Sequence, residues 1–355
     1  MTLAAVGYSG PPDLTVSSGL TSWTFDLGAL VLVLAFGAAY AAGVRRLRST
    51  GTRWPVGRTV WFCAGLGVLA LTSISFLGVY DHTLFWVTAA QLALLLTVVP
   101  VLLVLGAPVT LLVLARPGAR AGVQRFLDSP LTRLLTFPLV GAVLVMVVPF
   151  AVYYTPVFEA SLRSPVVAWL VHLGILCVGF AFYWSVLSVD RPPVLHYVAL
   201  TVVVMVETLF DAVPGIALWL GTTPIAGGYY RQVARPWGRS LLSDQQFGGI
   251  MLWGIGELVG IPLLMIVVVA WMRSDAAEAV RIDLELDAAE AAQAAQVEQT
   301  ARAAQTAQTA QTTEGGPTGH AAAAGPAARS GPDQPWSVPE GSASPGWSRD
   351  ASGRD

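Results

Sequence analysis

YDHTLFWVTAAQLALLLTVVPVLLVLGAPVTLLVLARP, residues 80–117, decides the fold. It opens on Asp81 and His82 and then carries no charged side chain until Arg116. A bilayer core takes about 20 apolar residues of helix, so the stretch is one membrane span with a continuation. Pro100 removes a backbone donor, and Gly106 and Pro108 loosen the end. Two readings stay open: a helix over about 84–104 followed by a re-entrant or interfacial piece, or one kinked, tilted helix.

The same character extends outward in both directions. Of 355 residues, 54% are hydrophobic and 12% are charged, whereas soluble domains carry about 25% charged residues. Further apolar segments occupy about 24–44, 59–80, 134–153, 166–187, 195–220 and 248–271. The expected fold is therefore all-α: a polytopic membrane protein of the bacterial plasma membrane with seven transmembrane helices over residues 23–273.

The net charge of -2 says little, because the charges are segregated. All 20 basic residues are arginine, which with the Ala, Gly and Pro excess suggests a high-GC bacterial genome. Arg45, Arg46, Arg48, Arg53 and Arg58 follow the first segment, and Arg116, Arg120, Arg125 and Arg133 follow the third. Asp190, Arg191 and Pro192–Pro193 make a tight turn after the fifth. Arginine-rich loops stay in the cytoplasm, which places the N-terminus outside and the C-terminus inside. Arg231, Arg235 and Arg239 run against that bias, but their loop is longer.

Residues 1–22 are rich in Gly, Pro and Ser and read as a flexible extracytoplasmic lead without the basic region of a cleavable signal. Residues 274–311 read as a cytoplasmic Ala/Gln-rich helical segment. Residues 312–355 read as a disordered cytoplasmic tail. Cys63 and Cys177 lie in separate apolar segments and read as buried thiols in the core, with neither a disulfide nor zinc spacing. Trp54, Trp61, Tyr80, Tyr153, Tyr154, Trp184, Tyr229 and Tyr230 fall near segment ends, where an interfacial aromatic belt would sit. Membrane lipid is the expected surrounding, and nucleic acid is not an expected partner.

Ionisable residues inside a bilayer are expensive and mark function by default. Glu207 and Asp211 stand four apart, on one face of the sixth helix. His172 lies near the outer end of the fifth helix. Glu257 lies between Gly256 and Gly260 in the seventh, a small-residue packing face. Asp81 and His82 cap the third helix from outside, and Asp244, Gln245 and Gln246 precede the seventh. The expectation is a polar pocket in the outer half, gathering His82, His172, Glu207, Asp211 and Asp244, that binds a cation or relays protons. No GxSxG, HExxH, phosphate loop or CxxCH is present, so no enzyme class is indicated.

Four stretches together resemble the CtaG family of bacterial cytochrome c oxidase assembly proteins, above all its longer actinobacterial members. They are YAAGVRRLRSTGTRWPVGRTVWFCAGL (40–66), PVLLVLGAPVTLLVLARP (100–117), YYTPVFEASLRS (153–164) and DQQFGGIMLWGIGEL (244–258), the last followed by WMRSDAAEA. The resemblance covers roughly residues 24–290. It implies a seven-helix chaperone that helps mature a haem–copper oxidase, handling copper at the outer face. Its partners would be subunits of that oxidase.

The chain departs from the family at its presumed metal ligands. A histidine pair usually follows a Phe early in the third helix, and here Thr88 and Leu92 follow Phe85. Asp211 stands where a histidine usually precedes the small stretch of the sixth helix. Only His172 matches the two histidines of the fifth. One imidazole among carboxylates suits copper(I) poorly, so either the metal chemistry is lost or Glu207 and Asp211 serve another cation or a proton. The reading is a non-enzymatic assembly factor for a haem–copper oxidase. The alternative is a small-molecule or ion transporter that uses the carboxylate pair.

Overall fold

The computed structural model describes residues 8–190 and 195–314. The expected turn at 191–193 and nearly all of the tail lie outside them. Every regular element among the described residues is a helix. Six are long and apolar enough to cross a membrane, and a bent pair makes a seventh if taken as one span. The chain is a multi-pass membrane protein, as its composition requires.

The first long helix, α1, is Leu27–Ser49, and Asp26 starts it by accepting the Gly28 and Ala29 amides. Helix α2, Val56–Ile74, begins after Pro55 and is prolonged by the short helix Phe76–Tyr80. The third span, α3, runs Phe85–Ala115, 31 residues. That is about 46 Å of helix, more than the ~30 Å of a hydrocarbon core, so it tilts or projects beyond the bilayer.

Pro100 shapes the middle of this span. Lacking an N–H, Pro100 cannot bond back to the Leu96 carbonyl, and Leu94–Val98 widens into a π-turn. Gly179 packs directly over the freed carbonyl; a Cβ there would overlap the Leu96 oxygen. Ala107 then takes a left-handed conformation (φ 49°), and Pro108–Ala115 resumes the helix. The stretch is thus a helix kinked near Pro100 and broken at Ala107, and by length and composition Phe85–Ala115 counts as one candidate span.

The fourth span, α4, differs from the sequence reading. Its helix is Pro138–Tyr153, 16 residues, with Pro130–Leu135 a separate turn of helix before it. Pro138 disfavours helical geometry at Phe137, and Phe137 is indeed extended. After Tyr153 the chain bends by 66° into Pro156–Arg163. Helices α5 (Pro165–Leu187) and α6 (Tyr197–Leu220) follow. Helix α7, Leu241–Glu314, starts about two turns earlier than its apolar run. From Glu285 the chain belongs to a second compact unit, helical as far as Glu314.

Helices α6 and α7 meet closely because glycine lines the seam. Gly215 and Gly249 pack backbone to backbone, and a Cβ on either would strike the other's carbonyl oxygen. At the arginine-rich end, Tyr40 stacks on Phe62 with ring centroids 3.9 Å apart. Its hydroxyl donates to the Gly106 carbonyl at 2.9 Å, and Trp54 Nε1 donates to that hydroxyl at 3.0 Å. Asp190 ties α3 to α5: it accepts from the Thr110 amide at 3.0 Å, from the Thr110 hydroxyl, and from Trp184 Nε1 at 2.7 Å.

Two expectations are corrected here. Trp54, Tyr80, Tyr153, Trp184 and Tyr230 are buried in the protein; they hold helix ends together, and only Trp61 and Tyr154 are well exposed as belt residues. Both cysteines are free, as expected, but they sit on exposed helix faces and not in the core. In a membrane protein the outward face is itself apolar, so an apolar neighbourhood in sequence does not separate core from lipid.

Candidate functional site

The carboxylates come together across the α6–α7 seam. Glu207 is 5% exposed, and its Oε2 has no hydrogen-bond partner. Asp211, one turn on, presses its carboxylate against Gly256, where no side chain would fit. Glu257 follows on α7, with Oε1 accepting from Trp253 Nε1 at 3.1 Å. Thr208 packs over Gly260 and its hydroxyl is also unpartnered. The Gly256/Gly260 pair is thus a seat for polar side chains of α6 as well as a packing face. Tyr183 of α5 is a further titratable neighbour of Glu207 and Asp211. No basic side chain pairs with any of the three acids among the described residues.

His172 lies elsewhere. It lines a small recess with Asp26, Leu69, Ser73, Leu95 and Trp169, between α1, α2, α3 and α5. His82 is more than half exposed, with Nε2 3.9 Å from Asp81 Oδ1. Burial raises the Asp81 carboxyl above its ordinary value; the His82 charge opposes this and Asp26 adds to it. Thr88 spends its hydroxyl on the Phe85 carbonyl at 2.6 Å, and Leu92 is buried. Among the described residues, no three His, Cys, Asp or Glu side chains stand together as a group able to hold a metal ion. The single outer pocket read from the sequence divides into a carboxylate seam, a histidine recess and a surface pair.

Asp244 and Gln245 are structural struts. Asp244 Oδ2 accepts the Phe85 amide at 2.8 Å and lies 3.3 Å from Arg235. Both side chains of that pair are under 5% exposed. Gln245 accepts from the Ile225 amide at 2.7 Å and donates to the Leu218 carbonyl at 3.4 Å. Phe85, Tyr153, Phe158 and Tyr230 cluster beside them with ring centroids 5.1–6.5 Å apart. The sequence singles out Asp244 but does not point to its partner Arg235. The arginine that ran against the topology rule is in fact paired and buried. No local spacing signals a partner nine positions away across a loop.

Comparison with known proteins places the chain as follows. Residues 38–274 match the family described as cytochrome c oxidase caa3 assembly factor (Caa3_CtaG). The chain is 35% identical over 294 residues to uncharacterized proteins of Mycobacterium bovis and Mycobacterium tuberculosis, covering 80% of this chain and 44% of each relative. A Mycobacterium leprae protein is 35% identical over 297 residues, covering 81% of this chain and 45% of that relative. The chain therefore spans less than half the length of the curated relatives it matches. No solved structure matches it.

Proposed function

The chain belongs to the cytochrome c oxidase caa3 assembly-factor family, and from that premise we propose that it acts without catalysis, holding a folding subunit of a haem–copper oxidase within the membrane. The observation that carries this reading is Glu207: a buried carboxyl with a free oxygen, beside Asp211 and Glu257, all three lacking a basic partner among the described residues. An unpaired polar group in a membrane costs free energy until something satisfies it. A side chain of a client helix supplies that partner when the client docks, and losing it on release makes the interaction reversible.

Copper fits the residues poorly. The seam offers carboxylate oxygens and a hydroxyl, which are hard ligands, and His172 lines a different recess. The proposed holding role needs no metal. Its orientation has the N-terminus outside and the seam toward the outer half, as the loop arginines argue.

The test is complementation of a strain lacking this chain, with oxidase maturation and co-purification of oxidase subunits as readouts. Wild type restores both, and Glu207→Gln with Asp211→Asn, present at normal abundance, restores neither. Full maturation by the double variant would make the seam purely structural. Substrate uptake into vesicles that depends on Glu207 would identify a permease instead.

A further inference from the structure

A groove of about 430 Å³ runs between α1 and the Pro108–Ala115 end of α3. On α1 it is lined by Phe36, Ala39, Gly43 and Arg46, spaced three or four apart along one helix face. On α3 it is lined by Leu111, Ala115 and then Arg116. Both helices run toward the same end, and both apolar stripes close on an arginine. Tyr40 and Phe62 floor the groove as a stacked pair. Gly43 permits the close approach: a Cβ there would stand 3.0 Å from Leu111.

Neither Arg46 nor Arg116 makes a side-chain hydrogen bond or an ion pair among the described residues, and no acid lines the groove. The nearby Arg58 differs, being spent over the Trp54 ring at 5.1 Å. A second cavity at this end also differs, since Asp128 there stands with Arg120 and Arg133. Depth adds a further constraint. Arg46 stands ten residues past Phe36, roughly 15 Å along a helix, about half of a ~30 Å hydrocarbon core. The groove therefore has the depth of one leaflet, with two positive charges where a lipid headgroup would lie.

We infer that this groove is a binding site for one anionic phospholipid, its phosphate between Arg46 and Arg116 and an acyl chain along Ala39, Gly43 and Leu111. A free phosphate would satisfy the arginines but leave the apolar length empty. A neutral zwitterionic lipid would fill the length but leave the arginines less well matched.

The test is native mass spectrometry of the full chain in detergent, titrated with phosphatidylglycerol, phosphatidylcholine or inorganic phosphate. Wild type binds one phosphatidylglycerol roughly tenfold or more tightly than phosphatidylcholine, and inorganic phosphate does not displace it. Arg46→Gln with Arg116→Gln abolishes that preference. Ala39→Trp, on the exposed face of α1, weakens binding without changing charge. Arg48→Gln with Arg53→Gln removes the same charge from the same end, outside the groove, and leaves binding intact. Equal binding of the two lipids, a preference that survives in the Arg46/Arg116 variant, or displacement by phosphate alone would each overturn the assignment.

Discussion

The Asp244 carboxylate accepts the backbone N–H of Phe85 at 2.8 Å, joining positions 159 residues apart. Leu84, the residue before α3, offers no side-chain cap of its own. The first turn of α3 is therefore capped from α7, and the same carboxylate neutralises Arg235 at 3.3 Å. Asp244→Ala removes a cap and strands a buried guanidinium. The expected cost is about 3–5 kcal/mol, read as a lower thermal midpoint in detergent. Asp244→Asn keeps an acceptor for Phe85 and loses less.

Glycines of one helix should respond in opposite ways. Gly249→Leu drives a side chain into the Gly215 carbonyl and the Trp219 amide and should open the α6–α7 seam, with loss of folded protein. Gly254→Leu meets nothing within 4 Å and should leave the midpoint unchanged. Equal effects of the two, measured by size-exclusion profile and thermal midpoint, would contradict the packing described.

Asp81 gives a pH dependence with a defined sign. Its carboxyl is held above the ordinary value of 3.8, first by burial, with Asp26 adding and His82 opposing. The folded chain thus binds this proton more tightly than the unfolded chain. The contribution favours folding below 3.8 and is lost as pH rises through the elevated value. Asp81→Asn should therefore stabilise the protein at neutral pH and flatten the acid side of its stability profile, measured by thermal unfolding across pH.

The orientation is open to direct test. A cytoplasmically active reporter fused after residue 275 should be active, and one fused at residue 20 should not. An extracellular reporter at 275 would reverse the assignment.

Much of the fold is legible in the sequence because lipid imposes its demand locally: each span must be apolar over its own length. Helix α5, expected over about 166–187, is Pro165–Leu187. Proline breaks are less legible. Pro138 splits the predicted fourth helix, yet Pro214 sits inside α6 without ending it, and only the neighbouring packing separates the two cases. The site was half legible. Glu207 and Asp211 share a face by spacing alone, and their meeting with Glu257 follows from the glycine seam. The separation of His172 from them depends on how α5 is rotated about its axis, which an apolar helix with small amphipathicity does not encode. The pairing of Arg235 with Asp244 was not legible, because an ion pair through a loop leaves no periodic trace.

The π-turn at Leu94–Val98 works as a clutch between two halves of α3. It holds one residue more than an α-turn, about 100° of rotation, so each half keeps its own angular setting. The half before it aims Gln91, whose Nε2 donates to the Thr72 carbonyl at 2.8 Å. The half after it offers the Gly106 carbonyl to Tyr40. Deleting one residue within 94–98 would let the helix run straight and swing Gln91 away from Thr72 while Tyr40 keeps its partner. Positions 88 and 92 lie on the half that would swing. Whatever side chains stand there, the turn below them sets the direction in which they face.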